Sequence, residues 1–296
     1  MTHEDRTRGA MLGLAVGDAL GAQVEFARPE LARRLVAGGL EMGDSRHWAA
    51  GQWTDDTALA LELAESIAEC GLLHADDVAR RYIRWATEDG RGIGRATLAA
   101  LAGATDAADA RRRAADYHAS TGMGAGNGTV MRCTPIGLAA RDLDEARMAA
   151  ASDARLTHGH RAATAASAAL CAALVSLRRG EDPLIAANAE ARGRPELEEP
   201  LALAAADDRQ ALAELAVGPA AGACWTTLAI ALCALQLGDY ERGVAWAISL
   251  GGDADTNAAV SGALLGCRDG PAAIPERWLE PLAQRDRVER AADALA

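Results

Sequence analysis

The chain has 296 residues, half of them hydrophobic and only 3% aromatic, with a net charge of −12. That is enough apolar material to bury a large core. The acidic balance excludes a general nucleic-acid surface or an anionic-membrane surface, both of which need clustered cations.

The first helical pattern runs over residues 6 to 22 and places Gly9, Gly13, Gly17 and Gly21 on one face. Each glycine costs a helix about 1 kcal/mol against alanine, so four in a stripe imply that another helix or a ligand approaches closely. Glu25 follows that helix directly, which makes it a candidate site residue. A Pro29-interrupted stretch and a glycine-rich link then lead to Thr54-Asp55-Asp56-Thr57, which opens an Ala/Leu-rich helix to about Cys70. Helices are expected at about 76 to 88 and 94 to 103, the latter after Gly90-Arg91-Gly92-Ile93-Gly94, and a solvated helix or loop at 105 to 116.

The run Gly122 to Arg132 contains four alternating glycines and could bare consecutive N–H groups as a nest for phosphate. A helix at about 144 to 151 precedes Thr157-His158-Gly159-His160. His160 reads as structural, and Thr157-His158 could point into a site. The apolar window Ala162 to Leu177 carries Thr164, Ser167 and Ser176 and stops at Arg178-Arg179, so it reads as a buried helix and not a membrane span. Surface helices with Pro195 and Pro200 in a loop are expected over 180 to 219, then helices at about 221 to 237 and 240 to 249.

The chain culminates in Gly251-Gly252-Asp253-Ala254-Asp255-Thr256, a turn opening a helix striped with Ala258, Gly262 and Gly266. The two small-residue stripes are expected to pack together. No segment alternates with a strand period, so the fold class is all-α. One domain over 1–296 is expected, because the two acid turns lie at opposite ends of the chain and must meet. The six cysteines include no CxxC pair and read as small buried hydrophobes, and the charged N-terminus leads into no signal-peptide core, which points to a cytoplasmic protein.

Asp and Thr oxygens without cysteine favour Mg²⁺ or Mn²⁺ over zinc, and two such turns could clamp metal ions between them. Two adjacent ions would serve hydrolysis of either a phosphate ester or a glycosidic bond. The ordered set Gly17-Asp18-Ala19-Leu20-Gly21 with Glu25, Thr54 to Thr57, Gly126-Asn127-Gly128 with Met131-Arg132, Thr157-His158 and Gly251 to Thr256 resembles the ADP-ribosylglycohydrolase family. The likeness extends from residue 8 to about 282, through Ile274-Pro275-Glu276-Arg277-Trp278.

This resemblance implies a compact orthogonal helical bundle with a dinuclear metal site at its centre, two Mg²⁺ (or Mn²⁺) ions being bound by Thr54, Asp55 and Asp56 from one side and by Asp253, Asp255 and Thr256 from the other. It implies that Glu25 and Asp56 are catalytic and flank the reacting carbon, that Gly126, Asn127 and Gly128 line the ADP-ribose, and that His158 is a site residue. Gly92 and Gly94 stand in the substrate loop, where arginine-specific members resemble one another in carrying Asp-Ile-Gly. The aspartate is missing here unless Asp89 substitutes, so an O-linked or small-molecule ADP-ribose derivative is the expected substrate. An ADP-ribosylated protein or ADP-ribose derivative is the implied partner, with no membrane partner and a monomer favoured.

Tyr117, Trp225 and Trp53 are the candidates for stacking adenine. Two other readings are a catalytically silent ADP-ribose binder and another all-α Mg-dependent nucleoside-diphosphate hydrolase. Against the latter, position 59 is Leu and no paired-acid helix repeat is present.

Overall fold

The computed structural model describes residues 1–296. Its helices are α1 (His3–Gly21), α2 (Pro29–Ala37), α3 (Asp55–Cys70), α4 (Ala75–Glu88), α5 (Arg95–Leu101), α6 (Ala107–Thr121), α7 (Thr134–Ala139), α8 (Leu143–Ala154) and α9 (Arg161–Arg179). Then come α10 (Pro183–Ala191), α11 (Pro195–Ala205), α12 (Arg209–Val217), α13 (Cys224–Ala234), α14 (Tyr240–Ser249), α15 (Ala254–Asp269), α16 (Glu276–Leu279) and α17 (Arg285–Leu295). No strand forms; two isolated antiparallel bridges, Ala27 to Gly252 and Gly126 to Ala223, tie loops together.

The seam between α1 and α15 is the axis of the molecule, and the two stripes meet as expected. A Cβ on Gly9, Gly13 or Gly17 would collide with the backbone carbonyl of Gly266, Gly262 or Ala258 respectively. One on Gly21 would lie 2.5 Å from the Ala254 carbonyl oxygen. Without side chains between them, the two backbones touch. A capping box at Thr2 and Asp5 starts α1, and Tyr240 of α14, fully buried, donates its hydroxyl to the Gly13 carbonyl at 2.9 Å. From residue 9 to its end α1 is buried throughout, as is α15 from Ala254 to Cys267.

Around this pair, α9 buries nearly its whole length, matching the expectation for 162–177. One continuous apolar core runs from Ala10 to Leu295. Five cysteines are buried in it, and Cys70 at the end of α3 is exposed. No helix is long and apolar enough to cross a membrane.

The prolines correct one expectation. Pro195 and Pro200 lie inside α11 and not in a loop. Pro195 is at the first turn, where a missing N–H costs nothing, while Pro200 sits in the helix interior and is buried. Proline likewise opens α2 and α10, so Pro29 begins a helix where an interruption was expected.

Candidate active site

The site is built where α1 ends and α3 and α15 begin. Asp18, fully buried in the last turn of α1, accepts from the backbone N–H of Thr54 (3.0 Å) and of Thr57 (3.0 Å) and from the Thr57 hydroxyl (2.6 Å). It thereby fixes the start of α3 against the central seam. Thr54 is the N-cap of α3, its hydroxyl accepting from Asp56 N–H at 3.4 Å. Because Thr54 caps the helix, the carboxylates of Asp55 and Asp56 are not spent on capping.

The second turn follows the same economy. Gly251 and Gly252 both have positive φ, and a Cβ on either would strike the backbone of Ala27 or Ala216. Asp253 occupies the N-cap position of α15 but makes no capping bond; its Oδ2 instead accepts from Asn127 Nδ2 at 2.8 Å. The two acid turns, 200 residues apart, meet where the Thr256 hydroxyl faces Asp56 Oδ1 at 3.4 Å. Reading each acid turn as mere helix capping is thus excluded for four carboxylates: Asp55, Asp56, Asp253 and Asp255.

Glu25 reaches the same place through the bridge between its loop and the glycine turn, with Phe26 N–H donating to Gly252 O (2.7 Å) and Gly252 N–H to Ala27 O (3.0 Å). Gly92 lies behind Asp55: it has φ of +82°, and a Cβ there would stand 2.5 Å from Asp55 Oδ1. Gly94 lines the same cleft with nothing within 4 Å of a Cβ. Gly126, Asn127 and Gly128 form the opposite wall, but not as a continuous nest, since Asn127 N–H is taken by Gly222 O at 3.0 Å. The Asn127 amide holds Asp253 and also donates to Thr227, whose hydroxyl donates in turn to Asn257.

His158 closes the wall, buried, with Nδ1 2.8 Å from the Thr157 hydroxyl and its far edge packed against Gly126 and Gly128. His160 caps α9 through Ala162 N–H, the structural role expected of it. The cleft between these walls has a volume of about 290 Å³. Glu25, Asp55, Asp56, Gly92, Gly94, Gly126, Asn127, Gly128, His158, Asp253, Asp255 and Thr256 all line it; Thr54 stands behind.

Electrostatically the cleft is an uncompensated cluster of acids. Five carboxylates line it, Asp18 lies just behind, and the only charged cation on its lining is Arg95. Burial pushes Asp18 up to about 6 despite the opposing hydrogen bonds from Thr57 and Thr54. Burial, then the charges of Asp253 and Asp18, brings Glu25 to about 7; burial, then Asp18, brings Asp55 to about 8. Asp56 and Asp255 are pushed well above the usual carboxylate range by burial and by their acidic neighbours. Asp56 Oδ2 and Asp255 Oδ1 are buried with no hydrogen-bond partner, a costly state for a polar atom. In their present rotamers the acids do not close into a three-ligand cluster. His158 is the opposite case: burial, then the nearby Arg132 charge, lowers it to about 3, so its imidazole is neutral.

Several working residues were not singled out from the chain alone. Asp18 stands in the sequence as one member of the Gly17-to-Gly21 motif, with nothing local to mark it as an anchor. Arg132, fully buried, clamps the glycine loop by donating to Gly128 O (2.7 Å) and is held by Asp153, which also accepts from Tyr82 (3.0 Å). Of the aromatic candidates, Tyr117 lines the cleft, while Trp53 donates to Ala283 O at 2.8 Å and, like Trp225, does not line it. Asp89 pairs with Arg91 at 2.7 Å and does not take the place of the missing loop aspartate.

A glycine seam that brings two helix N-termini together around a cluster of buried acids defines a ligand site and not a mere packing feature. The family model described as ADP-ribosylglycohydrolase matches residues 1–296, and the chain belongs to that family. It is 31% identical over 98% of its length to the ADP-ribosyl-[dinitrogen reductase] glycohydrolase of Rhodospirillum rubrum, covering 95% of that protein. It is 30% identical to the ADP-ribosylarginine hydrolase Tri1 of Pseudomonas putida, over 98% of this chain and 78% of the relative. A solved structure titled ADP-ribosylglycohydrolase-related protein complex superposes with a TM-score of 0.73 at 37% identity, covering 99% of this chain and 97% of the other.

Proposed function

We propose that the protein is a metal-dependent hydrolase that cleaves the glycosidic bond at C1″ of ADP-ribose, releasing ADP-ribose from an O-linked or small-molecule derivative. The observation that carries this reading is the pair of orphaned oxygens, Asp56 Oδ2 and Asp255 Oδ1, within an otherwise uncompensated acid cluster. Buried like charges with no partner fit a site made for cations. Two Mg²⁺ or Mn²⁺ ions would be held by Thr54, Asp55 and Asp56 on α3 and by Asp253, Asp255 and Thr256 on α15. When bound, such ions supply positive charge to ribose hydroxyls and to water.

The chain's own groups then divide the work. Glu25 and Asp56 flank the reacting carbon, and their carboxylates stabilise the positive charge that develops at C1″ as the bond breaks. Glu25 is half-buried beside the proposed cation site, where its carboxylate can take up or return a proton of the attacking water. Asn127 keeps Asp253 in place, and the neutral His158 backs the glycine loop without adding charge.

The acceptor side favours a linkage other than arginine. Gly92 stands where a carboxylate would meet a guanidinium, Arg95 lies at the mouth without an ion pair, and Arg91 stacks on Trp48 with 5.1 Å to the ring centroid. Arg91 is neutralised by Asp89, so a cationic acceptor would meet one unpaired cation there, Arg95, although one of the relatives is named for ADP-ribosylarginine.

The test is release of ADP-ribose from an ADP-ribosyl-arginine peptide, an ADP-ribosyl-serine peptide and O-acetyl-ADP-ribose, each with Mg²⁺, Mn²⁺ or EDTA. Release from the serine peptide or the acetyl ester, lost in EDTA, is expected. Release from the arginine peptide alone would overturn the acceptor assignment. Full turnover by Glu25→Gln would remove Glu25 from the mechanism.

A further inference from the structure

The acid cleft is not the largest cavity in the molecule. A second one of about 770 Å³ lies on the far side of His158, which lines both. Its walls come from α6, α8, the start of α9 and the segment joining α10 to α11, and they carry six arginines: Arg111, Arg147, Arg155, Arg161, Arg192 and Arg194. Glu190 is the only acid on the lining. In a chain with a net charge of −12 this is a concentrated reversal of sign.

The arginines are not used up by one another's neighbours. Arg147 is paired with Glu190 and Asp144, and Arg161 lies 3.5 Å from Glu196. The guanidinium of Arg194 donates only to backbone carbonyls, those of Glu190 and Arg192, and Arg111 only to the Ser152 hydroxyl. Arg155 and Arg192 have no side-chain partner and are exposed. Four guanidiniums without a carboxylate partner therefore line one open pocket, in a side-chain type whose planar fork matches phosphate oxygens. One face of the first turns of α9, from Arg161 through Thr164 and Ala165 to Ala168, forms part of the same wall.

We infer that this arginine-lined cavity behind His158 is a second binding site, for a small ligand carrying a diphosphate or polyphosphate group. Four unpaired guanidiniums exceed the need of a single phosphate, and the cavity has room for more than one. A long polyanion is disfavoured by the chain's net charge of −12.

The test uses the EDTA-treated full chain, in which the acid cleft repels anions, with inorganic pyrophosphate and ADP as calorimetric probes at low salt. Binding of at least one probe is expected, weakened by added salt and by about 10- to 100-fold in the double variant Arg155→Gln/Arg192→Gln. ADP binding well above pyrophosphate would identify a nucleotide as the ligand; equal binding would identify the diphosphate alone. The double variant should keep the wild-type melting temperature and rate of ADP-ribose release. No binding of either probe, or equal binding by wild type and variant, would overturn the inference. So would tighter binding of a single-stranded oligonucleotide than of both small probes.

Discussion

Gly17→Ala tests whether the seam between α1 and α15 sets the geometry of the acids. The added Cβ would sit 2.6 Å from the carbonyl carbon of Ala258 and closer still to its oxygen. Carbon atoms pack comfortably at about 3.5 Å, so the helices must part by about 1 Å. Both partners in the clash are main chain, and no rotamer change relieves it. Overpacking of this kind costs about 1–3 kcal/mol, and the upper end suits a backbone clash; alanine returns about 1 kcal/mol of helix propensity. The net loss of about 2 kcal/mol should lower the melting temperature by about 3 °C in a chain of 296 residues. Asp18 follows Gly17 directly, so the same displacement should loosen its bonds to Thr54 and Thr57 and weaken cation binding. Gly13→Ala, one turn further from the acids, should lower the melting temperature with a smaller effect on binding. Calorimetric melts and Mn²⁺ titrations read both quantities. An unchanged or raised melting temperature in Gly17→Ala would refute the close-contact argument.

Three further outcomes follow from the same geometry. The raised carboxyls bind their protons more tightly folded than unfolded, so the stability they confer is present below about pH 4 and lost as pH rises through about 6 (Asp18), 7 (Glu25) and 8 (Asp55). Melts in EDTA should fall across that window, with Mg²⁺ or Mn²⁺ restoring most at its upper end; a flat profile with no response to cation would contradict the proposed metal site. Asp18→Asn keeps one acceptor oxygen but removes the charge and sets an NH₂ donor in place of the other oxygen, beside the Thr54 and Thr57 N–H groups, and should weaken Mn²⁺ binding by about 10- to 100-fold in titration calorimetry, because the start of α3 loses part of its anchor. Gly92→Ala forces a left-handed backbone onto alanine and a methyl against Asp55, so turnover should fall at least about tenfold with little change in the melt, and wild-type turnover would place Asp55 outside the chemistry.

Much of this arrangement was legible in the chain because it depends on residue size and on periodicity. The two stripes of small residues foretold their own contact, and contiguous acids at two helix starts foretold that those starts converge. What stayed hidden were groups whose role comes from tertiary bonding. Asp18 looks like one acid in an apolar helix until its carboxylate is seen to receive the Thr54 and Thr57 N–H groups. Asn127 reads as a ligand-facing loop residue, yet its amide is engaged by Asp253 and Thr227. The arginines of the second cavity come from separate stretches at 111, 147–161 and 192–194, and no local pattern joins them. Proline was misleading in α11, where a helix tolerates Pro200 because tertiary packing buries that face.

The position of His158 links the two cavities. Its ring backs Gly126 and Gly128 on the acid side, and the adjoining Gly159 and the start of α9 form the floor of the arginine side. Burial and Arg132 keep the imidazole neutral, so neither the acids in front nor the guanidiniums behind gain or lose a charge through it across the physiological range. Arg132 in turn is fixed by Asp153 and by the Gly128 carbonyl, which makes the glycine loop and the histidine parts of one rigid wall. A wall of this kind can separate a cluster of buried acids from a cluster of arginines because its one buried cation, Arg132, is already paired with Asp153 and its histidine is neutral. A charged side chain at that position would either pair with the acids or repel the arginines, and the independence of the two sites would be lost.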